Sequence, residues 1–267
     1  MIKLVAFDFD KVLIDTETID EIAKINHTDK EISKITQEAM EGKISFETSI
    51  KKRVSLLKGI NTNEIKKVLK PIPYTIGAKE TVKELKKRGY IIAIITGSFT
   101  IITDEVKKEL NPDYVFSNIL ETEDGKLTGK ITGPLITHDK IDVLKNLIKD
   151  LNISLEECAA IGDGANDLNM VKNVALGISF NGKPILEENA DKLINKKDLR
   201  MVLDIMTDEE KKTNEETTEE SGKIELKIKN YSETLNDLKE QGNNGDNEKE
   251  ETIDEQPETE EETTKET

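Results

Sequence analysis

Tryptophan is absent, cysteine occurs once and histidine twice in 267 residues. A single thiol, Cys158, excludes an internal disulfide framework. With only His27 and His138 beside it, the soft ligands are too few for a zinc centre. Arginine is almost as scarce, since Arg53, Arg88 and Arg200 are the only ones among 39 basic residues. Long apolar runs are missing too: the longest uncharged stretch, residues 90–103, has 14 residues, short of the roughly 18 that a membrane-spanning helix needs. Residues 2–7 run into Asp8, so no signal-peptide core is expected. Without a basic surplus to neutralise phosphates, nucleic acid is not an expected partner. These absences point to a cytoplasmic protein without membrane contact; a small molecule is the expected partner of a monomer or homodimer.

Acid is what the chain has in plenty, and it is unevenly placed. The formal net charge is −16, and residues 207–267 hold 22 of the 55 acidic residues but 8 of the 39 basic ones. Residues 1–206 are therefore nearly neutral. From Gly242 onward Ile253 is the one large aliphatic residue and there is no aromatic ring. Such a segment cannot offset its ordering entropy by burial, so 207–267 reads as a disordered acidic tail. One island interrupts it. Ile224, Ile228, Tyr231, Leu235 and Leu238 alternate in steps of four and three, which reads as a short amphipathic helix over 223–240; Ile224, Leu226 and Ile228 also alternate like a strand.

Four short apolar runs, residues 4–7, 90–95, 158–161 and 174–178, read as strands buried on both faces. Helical stretches separate them. Residues 78–88 carry Val82 and Leu85 on one stripe and stop at Gly89, while Ile141, Leu144, Leu147, Ile148 and Leu151 form another. Alternation of this kind predicts βαβ units in a doubly wound α/β fold with a parallel sheet. Two excursions interrupt the alternation. Residues 16–72 read as an all-helical cap inserted after the first strand, with Ile22, Ile25, Ile35, Met40, Phe46, Ile50, Val54 and Leu57 as apolar anchors. Residues 119–135, with Asp124-Gly125 and Thr128-Gly129 amid alternating residues, read as a β-hairpin. The expected organisation is a core of 1–15 and 73–206, the cap, and the tail.

Carboxylates cluster at the ends of the expected strands. The first run ends in Asp8-Phe9-Asp10 and the third in Gly162-Asp163-Gly164-Ala165-Asn166-Asp167. Ligands of open parallel sheets bind at the carboxyl ends of strands. Four converging carboxylates need a cation among them, and an all-oxygen set suits Mg²⁺. Thr96-Gly97-Ser98 ends the second run with hydroxyls and backbone N–H groups, and Lys140 falls at the start of a helix. Cation, lysine, hydroxyl and backbone donors arriving from separate strand ends are what phosphoryl transfer requires.

In these residues the chain resembles the haloacid-dehalogenase superfamily of phosphohydrolases. Asp8 to Val12 is similar to its DxDx(T/V) motif and Gly162 to Asp167 to its GDGxND motif. Within the superfamily the chain most resembles the phosphoserine phosphatases over about residues 1–205, cap stretches 17–23, 38–43 and 52–58 included. The resemblance implies that Asp8 attacks phosphorus and that Asp10 protonates the leaving alkoxide, then activates water. It implies Mg²⁺ on Asp8, the Asp10 carbonyl and Asp163, with Asp167 supporting or extending the metal site, and Thr96, Gly97, Lys140 and Asn166 on the phosphoryl group or substrate. It further implies Glu17 on the α-ammonium and Arg53 on the α-carboxylate of O-phospho-L-serine, in the last step of serine biosynthesis. Met40 and Phe46 either wall the substrate or fill the cap. The chain departs from those phosphatases at Lys11 and Val12, where they carry Ser and Thr, at Thr96 for Ser, and at Ser98 for a second Gly. Another small phosphomonoester, transfer to an acceptor alcohol such as homoserine, and a binding role for the acidic tail remain open at this level.

Overall fold

In the computed structural model, which describes residues 1–40, 43–213, 215, 223–227 and 229, the run Leu4–Phe7 forms β1 with every side chain buried. The helices α1 (Thr18–Ala23), α2 (Asp29–Met40), α3 (Phe46–Ser55) and α4 (Thr62–Val68) follow it. After them come α5 (Ala78–Lys87), β2 (Ile91–Phe99), α6 (Thr100–Leu110), β3 (Tyr114–Glu123) and β4 (Lys126–Thr132). The chain continues through α7 (Lys140–Leu151), β5 (Cys158–Gly162), α8 (Leu168–Lys172), β6 (Leu176–Phe180), α9 (Pro184–Glu187) and β7 (Lys192–Ile194). Residues 201–213 are also helical. Residues 1–213 form one unit and 214–267 another. Among the described residues, no helix is long and apolar enough to cross a membrane.

The strands lie in the order β4-β3-β2-β1-β5-β6-β7. All neighbours are parallel except β3 and β4. Successive side chains of β1 face opposite ways. Val5 and Phe7 join an apolar cluster with Val82 and Leu85 of α5, Ile102 and Val106 of α6, and Leu199, Val202 and Met206. Leu4 and Ala6 join another with Leu144 and Leu147 of α7 and Val171 of α8. A strand covered on both faces has no reason to alternate, which is why residues 4–7 are uniformly apolar.

The parallel arrangement sends the ends of β1, β2, β5 and β6 to one rim, and the chain leaves that rim after β1 to build the cap. Ile22, Ile50, Val54 and Leu57 are buried in the same cluster as Phe7, so cap and sheet share one core face. The hairpin forms as expected around Asp124 and Gly125, whose φ values of +49° and +74° suit a tight two-residue turn. It also grips the cap. Gly59 N–H donates to the Leu127 carbonyl at 2.8 Å, Leu127 N–H to that of Ile60 at 2.9 Å, and Thr62 N–H to that of Gly125 at 2.9 Å. Gly129, with φ of +84°, lets α3 come close: a Cβ there would lie 3.2 Å from the Ser55 carbonyl.

Several boundaries differ from expectation. β2 runs on to Phe99 because Thr96-Gly97-Ser98 continues as extended backbone, with a register shift between Ile95 and Phe99. β6 begins at Leu176, since Ala175 N–H is taken by the Leu155 carbonyl. The first half of β3 and the three-residue β7 are additional parallel strands. Phe46, expected as one of the cap's apolar anchors, is 44% exposed, and the expectation for the Met40 side chain lies outside the described residues. The helix over 201–213 crosses the expected boundary at 206. Arg88 donates to the Thr207 hydroxyl at 2.8 Å and the Tyr90 hydroxyl to Glu210 Oε1 at 2.5 Å. Of the amphipathic segment read over 223–240, residues 223–227 and 229 are helical, with Ile224 and Leu226 exposed; Ile228, Tyr231, Leu235 and Leu238 lie outside the described residues.

Candidate active site

Asp8 follows β1 directly, and its N–H donates to the Ile161 carbonyl of β5 at 2.9 Å, which aims the carboxylate over the strand ends. Lys140, the first residue of α7, reaches the same point. Its ammonium lies 2.5 Å from Asp8 Oδ1 and 2.6 Å from Asp167 Oδ1, and all three side chains are almost fully buried. The other oxygen of Asp167 accepts the N–H groups of Asp163 and Gly164, at 3.1 and 3.0 Å. Gly162 makes this possible, because a Cβ there would sit 2.4 Å from that of Asp167.

Asp10 lies two residues on and feels the charges of Asp8 and Lys140, but its carboxylate is held by a different partner. Its Oδ1 accepts the Thr18 hydroxyl at 2.6 Å and the Thr18 N–H at 3.3 Å, at the first turn of α1. Lys11 turns the chain with φ of +63°, and the N–H groups of Leu13 and Ile14 close the loop on the Phe9 carbonyl.

Charge is unbalanced here. Burial, then Asp167, drives the Asp8 carboxyl well above its ordinary range, against the pull of Lys140. Burial would strip Lys140 of its proton, but Asp167 and Asp8 outweigh it and hold the ammonium charged. Burial lifts Asp10 to about 7 despite its bonds from Thr18. Burial and Asp167 lift Asp163 to about 7. One lysine thus serves more carboxylates than it can neutralise. Carboxylate oxygens of Asp8, Asp163 and Asp167 lie within 4.8 Å of one another, close to the spacing of roughly 3–4 Å that oxygens take around a cation binding them at about 2.1 Å. The cluster is able to hold a metal ion, and the fit rests on its excess negative charge as much as on its distances. Asp10 contributes no carboxylate to it.

The remaining expected residues surround this centre. Thr96, in β2, is buried and accepts the Ser98 N–H on its hydroxyl at 3.0 Å. Gly97 lies beneath the cap, and a Cβ on it would be 3.5 Å from the Phe46 ring. Asn166 is exposed on the turn between β5 and α8, its amide oxygen folded back over Gly164. From the cap, Glu17 and Arg53 share a partly buried patch with Asp20 and Lys11. Burial, then Asp10 and Asp20, lift Glu17 to about 7, while Lys11 and Arg53 oppose the rise. Burial lowers Arg53 from its ordinary value, opposed by Glu17, Asp20 and Asp10. The Arg53 Nε is buried without a hydrogen-bond partner. Two further contacts were not singled out in the sequence: Thr18 donates to Asp10, and Asn118 donates to the Gly97 carbonyl at 3.0 Å.

The model of the haloacid dehalogenase-like hydrolases matches residues 5–172. A phosphoserine phosphatase of Methanocaldococcus jannaschii is 48% identical over 202 residues, 75% of this chain and 96% of that protein. A solved structure of a phospho-aspartyl intermediate analogue of phosphoserine phosphatase superposes with a TM-score of 0.72 at 47% identity, over 76% of this chain and 98% of that one. A substrate-bound phosphoserine phosphatase complex gives a TM-score of 0.72 at 47% identity, covering 77% and 98%. With its paired aspartates just after β1, its lysine on α7 and its acidic turn after β5, the chain belongs to the haloacid dehalogenase-like hydrolases, as a phosphoric monoester hydrolase of the phosphoserine phosphatase group.

Proposed function

We propose that the chain hydrolyses O-phospho-L-serine to L-serine and orthophosphate, the closing step of serine formation, through a phosphoryl group carried on Asp8. The observation that carries this reading is the buried Asp8 carboxylate held 2.5 Å from Lys140, with a second aspartate two residues away in a different hydrogen-bonded setting. Asp8 attacks phosphorus as the bond to the serine oxygen breaks, and Asp10 gives that oxygen its proton. Asp10, now ionised, takes a proton from water as the water attacks phosphorus, freeing Asp8 and orthophosphate. One carboxyl is the nucleophile and the other the acid and base, because their surroundings differ.

Mg²⁺ suits the donor set of Asp8, the Asp10 carbonyl and Asp163, with Asp167 supporting them from Lys140 and the turn amides. When bound it neutralises charge on the phosphoryl oxygens. Thr96, Gly97, Lys140 and Asn166 hold those oxygens. Glu17 takes the α-ammonium, and Arg53 grips the α-carboxylate through a fork whose Nε is otherwise unpaired. Phe46 walls the substrate above Gly97.

Phosphate release from O-phospho-L-serine with Mg²⁺ and with chelator, beside phosphothreonine, phosphorylated sugars and simple alcohol phosphates, tests this. Chelator-sensitive preference for phosphoserine, lost in Asp8→Asn, is the expected result. Turnover of another ester in its place would discard the roles given to Glu17 and Arg53.

A further inference from the structure

Asn118 is fully buried in β3, and both ends of its carboxamide are engaged. Nδ2 donates to the Gly97 carbonyl at 3.0 Å, and Oδ1 accepts the Leu135 N–H at 3.1 Å. Only this orientation of the amide satisfies both neighbours, since one is an acceptor and the other a donor. The polypeptide is shaped around it. Gly133 passes with φ of +138°, and a Cβ there would lie 2.5 Å from Asn118 Oδ1 and 2.7 Å from its Cα.

The two groups that Asn118 joins belong to separate segments of the chain. The Gly97 carbonyl belongs to the Gly97–Ser98 peptide, whose N–H donates to the Thr96 hydroxyl at 3.0 Å. That peptide is therefore held at both ends, by Asn118 at its oxygen and Thr96 at its nitrogen. Glycine at 97 has no side chain to restrict rotation, so these two bonds do the restricting. Because the Thr96 oxygen already accepts one hydrogen bond, its own proton is left to donate elsewhere. Leu135, the other partner, sits in the turn Pro134–Ile136 that leads to Lys140 at the start of α7.

We propose that Asn118 is a positioning residue for the phosphoryl group: it holds the Gly97–Ser98 peptide so that the Thr96 hydroxyl becomes a directed donor, and it ties that donor to the segment carrying Lys140. The inference rests on the phosphoryl-binding roles given above to Thr96 and Lys140. It assigns Asn118 no contact with substrate.

A double-mutant cycle on the full chain tests it, with Asn118→Asp, Thr96→Val and both together. Aspartate keeps an acceptor for the Leu135 N–H but sets an oxygen against the Gly97 carbonyl. Rates are read with O-phospho-L-serine and with p-nitrophenyl phosphate, which has no amino-acid part. Orthophosphate affinity by calorimetry gives the same comparison without turnover. Asn118→Asp is expected to lose roughly tenfold or more in kcat/KM with both esters, and less than about threefold once Thr96 is valine. Equal losses in the two backgrounds would mean that Asn118 serves only the fold, and would overturn the proposal. Should Asn118→Asp fail to fold, Asn118→Ser, smaller and uncharged, is read through the same cycle. Hydrolysis of p-nitrophenyl phosphate without phosphoserine would discard the substrate reading and leave the cycle intact.

Discussion

Thr18 gives Asp10 two hydrogen bonds to a single oxygen, 2.6 Å from its hydroxyl and 3.3 Å from its N–H. Thr18 opens the cap and Asp10 closes the first sheet motif, so the carboxyl proposed to handle protons is held by the cap. A hydrogen bond to a carboxylate favours its charged form, and these two restrain a pKa that burial has already raised to about 7.

Thr18→Val removes the stronger of the two bonds at nearly constant volume. The Asp10 pKa then rises further, so the limb of the pH–rate profile that belongs to it moves to higher pH, and kcat falls about tenfold. Thr18→Ser restores the hydroxyl and is expected to restore the profile. A profile unmoved by valine would show that the hydroxyl does not govern Asp10.

Removing the Lys140 charge leaves Asp8 and Asp167 facing each other unpaired in the interior. In chelator, Lys140→Met is expected to destabilise the fold by about 3–5 kcal/mol, the cost of breaking a buried ion pair from one side. Urea unfolding measures it. Mg²⁺ should recover part of the loss, because a cation at the same carboxylates takes over some of the neutralisation.

Asp163 lends its pKa to a test of stability. Its carboxyl sits near 7 in the folded chain against an ordinary value of 3.8, so between those values the folded state holds a proton that the unfolded state has released. Stability linked to this group is present at low pH and lost as pH rises through that window. Metal-free Asp163→Asn should therefore melt with the parent near pH 4 and above it at pH 8. Mg²⁺ should raise the melting temperature of the parent at pH 8 and do less for the variant. Equal melting at both pH values would remove the buried charge as the cause.

Arg53→Lys keeps the positive charge and loses the fork. With O-phospho-L-serine, KM should rise by roughly tenfold or more, as a bidentate grip on a carboxylate is replaced by a point charge. With p-nitrophenyl phosphate, which has no carboxylate, KM should stay within about twofold. Equal effects on both substrates would move Arg53 from substrate recognition to support of the cap.

The centre of the site was legible because its residues lie beside the apolar runs that build the sheet. Asp8 and Asp163 are the first polar residues after buried strands, and Lys140 opens an amphipathic helix, so local pattern alone carries them to the rim. Thr18 and Asn118 were not legible in this way. Their partners, Asp10 and Gly97, are 8 and 21 residues distant, and only the folded chain joins them. The helix that crosses residue 206 was hidden for a related reason. Composition turns acidic at Asp208-Glu209-Glu210, but Val202 and Met206 anchor in the core a helix that Arg88 and Tyr90 hold through Thr207 and Glu210. A residue can be charged and still be a structural contact, and composition does not distinguish the two.

The backbone bonds between residues 59–62 and the β3–β4 turn make the two excursions from the sheet a single exchangeable module. A chimera that imported a foreign cap alone would strand the Leu127 N–H and the Gly125 and Leu127 carbonyls, and would bring an unmatched helix against the bare backbone of Gly129. Transplanting cap and hairpin together keeps those pairings. The natural unit for redesigning what this hydrolase admits is thus discontinuous in the chain, two segments with most of a βαβ unit between them.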